Sequence, residues 1–449
     1  MSNILVLGAG LSASYLIKYL LDNASTYHWH ITVVDSNIEL AKQKINGHTN
    51  GNAIACNIAN DKQRFELISN HDIVVSLVPP ALHILAAKDC ILLRKHLVTA
   101  SYITNEMRAL DAEATTAGVL LLNECGLDPG IDHLSAMRLI DEMKSNGFAI
   151  TSFKSFCGGL VAPTFDDNPW NYKFTWNPRN VVVAGQATAK YLENNTIKFI
   201  TPSHIFDQTE SISVNGYGAF ESYANRDSLA YIEPYGIQTA HTVLRGTLRK
   251  KGFCEAWNLL VKIGLTDDTF IIRNTSTLTM RSLVNSFVPG TDLAKVESRV
   301  CQFLKIREDS FLFQQLKWLG LFEDTSITLT DATPAQILQQ LLQQKWKLKQ
   351  GELDMIVMKH IMQFEGMVEG QKATIETESE LVVLGENDTL TAMAKTVGLP
   401  LAIAVKNILL GNIKSRGVQL PTTAEFYEPI LQELTLFCSS FIERKHKIA

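Results

Sequence analysis

The sequence predicts an α/β fold that begins with a doubly wound parallel sheet and continues into a second domain. Residues 3–7 form a short apolar run of strand type, and a glycine-rich turn and an apolar-periodic helix to about Asp22 follow at once. Strand and helix patterns then alternate through the first 130 residues. The strands are rich in Val, Ile and Leu without strict polar alternation, which is typical of a sheet covered on both faces.

The glycine-rich turn, Gly8-Ala9-Gly10-Leu11-Ser12-Ala13, has the form Gly-x-Gly-x-x-Ala between a strand and a helix. Its first glycine permits the tight turn, its second lets the backbone approach a pyrophosphate, and its small third residue lets helix and strand pack closely. The pyrophosphate would rest on unpaired N–H groups at the helix N-terminus. We interpret the turn as the dinucleotide-binding site of a Rossmann domain.

The second strand, residues 31–34, ends at Asp35, and no Arg or Lys occupies positions 36–40. A carboxylate at this position accepts hydrogen bonds from the adenosine ribose hydroxyls and repels a 2′-phosphate, so the sequence favours NAD over NADP. The alternative is that Asp35 only caps the turn that follows it.

Length and composition exclude several classes of protein. A chain of 449 residues predicts two or three domains, and a net charge of −5 offers no basic surface for nucleic acid. No run of eighteen apolar residues is present, so no membrane span is expected. The first strand begins at residue 3, which leaves no room for a targeting segment. Seven cysteines without paired or zinc-type spacing predict a reduced, cytoplasmic protein without a metal site.

Further elements follow from apolar periodicity. In the first domain the pattern predicts strands at 52–56, 73–78, 96–100 and 119–122, with helices such as 61–69 and 107–117 between them. Beyond residue 130 it predicts a helix at 131–143, a mixed sheet with strands at 152–157, 196–200 and 211–215, helices at 293–304, 311–319 and 334–350, strands at 366–377 and 380–384, and a helix at 389–397. Ligands of a doubly wound sheet bind beyond the carboxyl ends of its strands, so we expect the site there.

Two polar segments lie at those strand ends. Ser101 and Tyr102 follow an apolar strand, where a hydroxyl and a phenol can hold a substrate carboxylate or a nicotinamide ribose; the alternative is a capping Ser and a half-buried Tyr. Residues 123–133 leave the last strand of the domain and open a helix at Asp128. Asp128 is either a helix cap or a carboxylate that binds an ammonium or accepts a proton, and His133 is interpreted as structural.

Two more polar segments lie in the second domain. Residues 157–163 and 167–176 combine paired glycines with aromatic and amide groups, which predicts a pocket wall, and Cys157 has no neighbour to activate it as a nucleophile. Residues 225–228 and 245–249 are loop-like and carry several arginines. Arginines grip carboxylates through paired hydrogen bonds, so they indicate a substrate with more than one carboxylate; the alternative is surface ion pairs.

Several motifs of this chain occur together in one known family. They are Asn-Glu-x-Gly-Leu-Asp-Pro-Gly-Ile-Asp-His at 123–133, Cys-Gly-Gly-Leu-x-Ala-Pro at 157–163, Asp-Asn-Pro at 167–169, Tyr-Lys-Phe-x-Trp at 172–176, Asn-Arg-Asp-Ser at 225–228, Arg-Gly-Thr-Leu-Arg at 245–249, and the C-terminal stretches 391–400 and 416–418. With them the chain resembles the saccharopine dehydrogenase family, in the branch that releases L-glutamate. The resemblance covers nearly the whole chain.

The resemblance implies a domain order and an assembly. A Rossmann domain would span 1–130, and a mixed-sheet α+β domain for substrate binding and dimerisation would span 131–385 with a helical insertion at about 290–350. The segment 386–449 would return to the first domain, and the protein would be a homodimer. Fungal biosynthetic members carry an Arg near the position of Asp35 and use NADP, so this chain departs from them in the direction of NAD.

The resemblance also implies which residues contact the ligands. Asp128 and Tyr102 are the candidate proton-transfer residues, and no metal is expected. Substrate contacts are carried to Ser101, Tyr102, Asp128, Arg226, Thr247, Leu248 and Arg249. Cofactor contacts are carried to Gly8, Ala9, Gly10, Leu11, Asp35, Asn57, Ile58, Val78, Ala100, Ser101, Leu127, Asp128 and Pro129.

The expected reaction is the NAD(P)-dependent oxidation of saccharopine to L-glutamate and 2-aminoadipate 6-semialdehyde, a step of lysine metabolism. An alternative is a reductive condensation of the kind catalysed by carboxynorspermidine synthase, whose substrate would favour acidic groups where this chain has Arg226 and Arg249. A second alternative is a non-enzymatic NAD-binding protein, which would not need the polar segments. Fold-level analogy alone does not decide among the three.

Overall fold

The chain forms two compact units in a computed structural model that describes residues 1–448. Unit 1 consists of Met1–Ile150, Glu233–Thr239 and the chain from Met362 onward. Unit 2 consists of Thr151–Ile232 and Ala240–Ile361. The sequence-based domain boundaries at 130 and 385 remain predictions.

Strands supply the framework of both units. They are β1 (Ser2–Leu7), β2 (Trp29–Asp35), β3 (Gly51–Ala55), β4 (Ile73–Ser76), β5 (His96–Thr99), β6 (Leu120–Leu122), β7 (Ala149–Val161), β8 (Ala189–Glu193), β9 (Thr196–Ile200), β10 (Thr209–Val214), β11 (Gly218–Ala224), β12 (Thr242–Lys250), β13 (Asp354–Val368), β14 (Gln371–Leu384), β15 (Gly417–Gln419) and β16 (Ile442–Lys447).

Helices connect and cover these strands. They are α1 (Ala13–Asp22), α2 (Ala24–Tyr27), α3 (Ile38–Ile45), α4 (Asp61–Ser69), α5 (Pro80–Leu93), α6 (Asn105–Arg108), α7 (Asp111–Ala117), α8 (Ile131–Ser145), α9 (Pro178–Val182), α10 (Phe253–Ile263), α11 (Met280–Phe287), α12 (Val296–Leu304), α13 (Phe311–Leu319), α14 (Pro334–Lys345), α15 (Ala392–Leu409) and α16 (Ala424–Leu434).

Unit 1 is built on a seven-stranded sheet in the order β15-β6-β5-β4-β1-β2-β3, in which neighbouring strands run parallel. The four side chains from Ile4 to Leu7 are all fully buried, so both faces of the sheet are covered. This confirms the predicted α/β class and the doubly wound sheet. The strand order reverses between β1 and β4, and such a reversal opens a crevice at the carboxyl ends of the strands.

Unit 2 contains a mixed sheet, as the sequence predicts. Its strands lie in the order β10-β11-β12-β7-β13, with β10, β11 and β12 antiparallel and β12 and β7 parallel. The β8–β9 hairpin pairs with β12. Helices α12 to α14 account for the helical stretch expected at about 290–350.

One segment expected to be a loop is a strand, and one expected strand is longer than predicted. The residues 245–249 belong to β12 because they pair with both β11 and β7, and this tertiary pairing overrides the polar composition of the segment. The glycines after Cys157 continue β7 to Val161. A Cβ added to Gly158 would lie 2.7 Å from the carbonyl oxygen of Leu248, so this glycine lets two strands approach closely.

The C-terminal elements also differ from the prediction. The strand expected at 366–377 is the end of β13, a turn at Glu369 and Gly370, and the start of β14. Both turn residues have positive φ, and the continuous strand-like pattern of this stretch gave no sign of the turn. Helix α15 runs past the expected end at 397 and through Pro400, because burial of most of its side chains outweighs the one hydrogen bond that proline removes.

Helix α15 is an apolar helix of 18 residues. By length and composition alone it is long and apolar enough to cross a membrane, and 83% of it is buried inside the protein. Within unit 1 it packs against α1, which is the behaviour of a core helix. Gly398 lies at that contact, where an added Cβ would come within 2.6 Å of the backbone nitrogen of Leu16.

We predict that Gly398→Ala destabilises the protein. In an exposed helix this change would stabilise by about 1 kcal/mol, because alanine has the higher helix propensity. Here the methyl group must push α1 and α15 apart, at a cost of about 1–3 kcal/mol. Urea denaturation measures the difference, and an unchanged or raised free energy of unfolding would show that the two helices do not meet at this glycine.

Candidate functional site

The carboxyl ends of the parallel strands gather the candidate residues of unit 1. Because β6, β5, β4, β1, β2 and β3 are neighbours in this order, the residues that follow them share one edge of the sheet. At this edge lie Gly8, Ala9, Gly10 and Leu11 after β1, Asp35 at the end of β2, Asn57 and Ile58 after β3, Val78 after β4, Ala100, Ser101 and Tyr102 after β5, and Leu127, Asp128 and Pro129 after β6.

The glycine-rich turn has the geometry that a pyrophosphate requires. Gly8 has a φ of +102°, and a Cβ there would lie 2.9 Å from the carbonyl oxygen of Leu77, so only glycine fits. A Cβ added to Gly10 would meet no atom of residues 1–448 within 4 Å. Leu11 is 58% exposed beside it. The turn therefore presents open backbone just before α1, and these residues fit a dinucleotide.

Asp35 is held by backbone N–H groups on two sides. One carboxylate oxygen accepts a hydrogen bond from Ala9 at 2.8 Å, and the other accepts one from Asn37 at 2.9 Å. Asp35 therefore does cap the following turn, as the alternative interpretation states, and it also fixes the glycine-rich turn. Each carboxylate oxygen has a further lone pair, so the contact with a ribose hydroxyl stays open to it.

Tyr102 and Asp128, the two candidate proton-transfer residues, contact each other at this edge of the sheet. The Tyr102 hydroxyl donates to an Asp128 carboxylate oxygen at 3.1 Å, and both residues are half-buried. The N-cap residue of α8 is Gly130, whose backbone N–H donates to the carboxylate of Asp132 at 2.6 Å. The N-cap position that the sequence assigned to Asp128 therefore belongs to Gly130, and the Asp128 carboxylate accepts from the phenol of Tyr102.

Glu124 is a residue that the sequence did not single out. Its backbone N–H donates to the carbonyl of Ser101 at 3.1 Å, and its carboxylate accepts from the N–H of Ile103 at 2.9 Å. These two hydrogen bonds fix the backbone on both sides of Tyr102. Glu124 has a φ of +56°, which is uncommon for a side chain of this size, and such backbone strain persists only where the surroundings impose it.

The second oxygen of Glu124 is bound to His133. The distance from His133 Nε2 to this oxygen is 2.8 Å, and His133 Nδ1 lies 2.6 Å from the hydroxyl of Tyr235. All three side chains are buried. The structural interpretation of His133 fits this arrangement, since the ring supports Glu124 from inside unit 1.

The remaining candidates at this edge have mixed exposure. Ile58 and Leu127 are buried, Asn57 is exposed, and Val78 and Ala100 are half-buried. The Ile58 carbonyl accepts from Arg64 at 2.9 Å, which ties the segment after β3 to α4. No group of three or more His, Cys, Asp or Glu side chains within residues 1–448 is placed to hold a metal ion.

Unit 2 carries the other substrate candidates, on β12 and after β11. Arg249 is 3% exposed, and its guanidinium lies over the rings of Tyr172 and Phe253 at 5.2 and 5.4 Å. It donates to the Leu248 carbonyl at 3.0 Å, whereas its Nε has no partner among residues 1–448. The alternative of a surface ion pair is therefore wrong for Arg249.

The neighbours of Arg249 differ in exposure. Leu248 is fully buried, and the Thr247 hydroxyl accepts from the amide of Asn225 at 3.0 Å. Arg226 is exposed and has a φ of +48°, so both interpretations of this arginine stay open. No disulfide joins Cys157 to any of the other six cysteines, all of which lie within residues 1–448.

Two family models match the chain. The saccharopine dehydrogenase NADP binding domain matches residues 4–122, and the saccharopine dehydrogenase C-terminal domain matches residues 126–436. A solved structure, the apo histidine-tagged saccharopine dehydrogenase (L-Glu forming) from Saccharomyces cerevisiae, aligns with a TM-score of 0.87 and 31% identity over 100% of both chains.

Curated relatives are of two lengths. The saccharopine dehydrogenase [NADP(+), L-glutamate-forming] of Schizosaccharomyces pombe is 33% identical over 97% of both chains. The mitochondrial alpha-aminoadipic semialdehyde synthase of Bos taurus is 36% identical over 96% of this chain and 46% of that protein. The chain thus spans about half the length of the bovine relative.

We predict that Glu124→Ala destabilises the protein by about 3 kcal/mol or more, because it leaves the buried His133 ring and the Ile103 N–H without their partner. Glu124→Gln keeps the length and one acceptor oxygen and should lose less. The exposed Glu39, which pairs with Lys42 on the surface of α3, provides the control, and Glu39→Ala should change stability by less than about 0.5 kcal/mol. Equal effects of the two alanine variants in urea denaturation would refute the role given to Glu124.

Proposed function

The chain belongs to the saccharopine dehydrogenase family, and we propose that it oxidises saccharopine to L-glutamate and 2-aminoadipate 6-semialdehyde. The observation that carries the proposal is the 3.1 Å hydrogen bond between Tyr102 and Asp128 at the carboxyl edge of a dinucleotide-type sheet. The name of the S. pombe relative supports it, since that enzyme is L-glutamate-forming. The relatives' names give no support to the carboxynorspermidine synthase alternative.

The chemistry asks the protein to move protons beside a secondary amine. Saccharopine is glutamate and lysine joined through one nitrogen, and the bound dinucleotide supplies the acceptor for a hydride. Asp128 accepts the proton of the substrate ammonium, with Tyr102 holding the carboxylate in place, so that the amine lone pair is free. Water then adds to the substrate imine to give a carbinolamine. Tyr102 and Asp128 accept and return protons as this carbinolamine breaks down to the two products.

Arg249 and Arg226 anchor the carboxylates of the substrate in this proposal. A buried guanidinium surrounded by aromatic rings, with an unpartnered Nε among residues 1–448, is suited to a desolvated carboxylate. Positioning of this kind is the main contribution that a protein makes to hydride transfer. A homodimer, which the family resemblance implies, and a cytoplasmic location, which the cysteine pattern predicts, belong to the same proposal.

We propose NAD as the preferred cofactor on the evidence of Asp35. The fungal relatives carry NADP(+) in their names, and the family model describes an NADP binding domain. The Asp35 carboxylate nevertheless stands at the end of β2 with both oxygens fixed by backbone N–H groups. A negative charge held there disfavours a 2′-phosphate.

We expect kcat/KM to be at least about tenfold higher with NAD than with NADP, the factor that corresponds to about 1.4 kcal/mol. Asp35→Arg should reverse or remove this preference by placing a positive charge at the ribose. Asp22→Arg, on the surface of α1, adds the same charge elsewhere and should leave the ratio unchanged. Equal use of both cofactors by the unaltered protein would contradict the cofactor proposal and leave the reaction untouched.

Product analysis tests the reaction. Purified protein with saccharopine and NAD should yield L-glutamate and the semialdehyde in equal amounts, because the carbon oxidised lies on the lysine-derived arm. Mass spectrometry identifies the products directly. Lysine and 2-oxoglutarate as products would reject this branch of the chemistry, and the absence of turnover with either cofactor would reject the proposed function.

A further inference from the structure

His83 lies at the edge of the site and takes no part in the proposed proton transfers. It lies on α5, is 4% exposed, and bridges two serines at the carboxyl ends of the neighbouring strands β4 and β5. The distance from Nδ1 to the Ser76 hydroxyl is 2.8 Å, and the distance from Nε2 to the Ser101 hydroxyl is 2.7 Å. A cavity of about 330 Å³ lies beside this histidine, and the residues that line it include His83, Ser101, Tyr102 and Asn123.

The ring of His83 is neutral at physiological pH. Burial lowers the pKa of His83 to about 4, so the imidazole carries one N–H and one lone pair. One ring nitrogen must therefore donate and the other must accept. The two possible tautomers give the Ser101 hydroxyl opposite roles.

Ser76 decides between the two tautomers. Its side chain is fully buried, and His83 is the one partner of its hydroxyl among residues 1–448. If Nδ1 carried the proton, the Ser76 O–H would have no acceptor, at a cost of about 1–3 kcal/mol. Ser76 therefore donates to Nδ1, and Nε2–H donates to Ser101.

We propose that His83 is a positioning residue that makes Ser101 a hydrogen-bond donor toward the reaction site. Because Ser101 accepts from His83, its own proton is free for a ligand. The hydroxyl can then donate to an oxygen acceptor, either a substrate carboxylate or the carboxamide oxygen of the nicotinamide, which it could not do if it donated to His83. The identity of the ligand rests on the proposed function, whereas the tautomer does not.

The tautomer can be measured without activity. Long-range ¹H–¹⁵N spectra of the full chain labelled with ¹⁵N-histidine distinguish a proton on Nε2 from a proton on Nδ1, and His83→Gln identifies the signal by its loss. We expect the Nε2–H form at neutral pH. The Nδ1–H form would overturn the proposal, whatever reaction the protein catalyses.

Two replacements of His83 by amide side chains of different length test whether His83 acts through Ser101. The amide of His83→Gln reaches the position of Nε2 and can still donate to Ser101, so kcat/KM should stay within about threefold. His83→Asn reaches only the position of Nδ1 and should lower kcat/KM by about tenfold, the value of one positioned hydrogen bond. A larger loss in the glutamine variant than in the asparagine variant would overturn the proposal.

A double-mutant cycle separates positioning from a general structural role. In the Ser101→Ala background His83→Asn should cause no further loss, because the partner through which it acts is gone. Additive losses would show that His83 only supports the fold. A rise in the KM for saccharopine alone identifies a substrate carboxylate as the acceptor, and a rise in the KM for the dinucleotide alone identifies the carboxamide.

His96 provides the matched control. It is a second histidine whose pKa burial lowers to about 4, and its Nδ1 accepts from the N–H of Leu120 at 3.0 Å at the opposite end of β5. His96→Asn keeps an acceptor at that position and should leave kcat/KM within about twofold. If the unaltered protein does not oxidise saccharopine, the proposed function fails, and the tautomer measurement still decides the role of His83.

Discussion

The buried carboxylate of Glu124 is the constraint on which the arrangement of the site depends. A carboxylate removed from water is costly unless hydrogen bonds and an opposite charge or polar partner compensate it, and here Ile103 and His133 do so. The segment from Ser101 to Ile103 has little conformational freedom, since the backbone N–H of Glu124 also donates to the carbonyl of Ser101. The segment between these contacts carries Tyr102, whose phenol therefore reaches Asp128 from a fixed position.

Ser101 and Tyr102 are thus controlled from different directions. Glu124 fixes the backbone on both sides of the phenol, and His83 fixes the hydroxyl of the serine. Both supporting side chains are buried and lie beyond the carboxyl ends of strands or on the helices that follow them. A pair of adjacent polar residues can in this way have one member dedicated to proton transfer and the other to holding an oxygen of the ligand.

The local sequence pattern was sufficient to predict those elements that are determined by residues adjacent in the chain. The glycine-rich turn, β1 and α1 follow from adjacent residues, and the strand ends that carry Asp35, Ser101 and Asp128 follow from the alternation of strands and helices. Arg249 was placed in a loop because its polar segment hides a strand that only pairing with β7 and β11 reveals. Glu124 and His83 acquire their roles from contacts across neighbouring strands, which no spacing in the sequence records.

The central claim is that the Tyr102–Asp128 pair serves a secondary amine whose lysine-derived carbon loses a hydride. Isotope transfer tests it most directly. Saccharopine carrying deuterium on the lysine-derived carbon next to the nitrogen is oxidised with NAD, and the reduced dinucleotide is analysed by mass spectrometry. The account predicts deuterium in the reduced dinucleotide from this substrate and none from saccharopine deuterated on the glutamate-derived carbon. Transfer from the glutamate-derived carbon would contradict it.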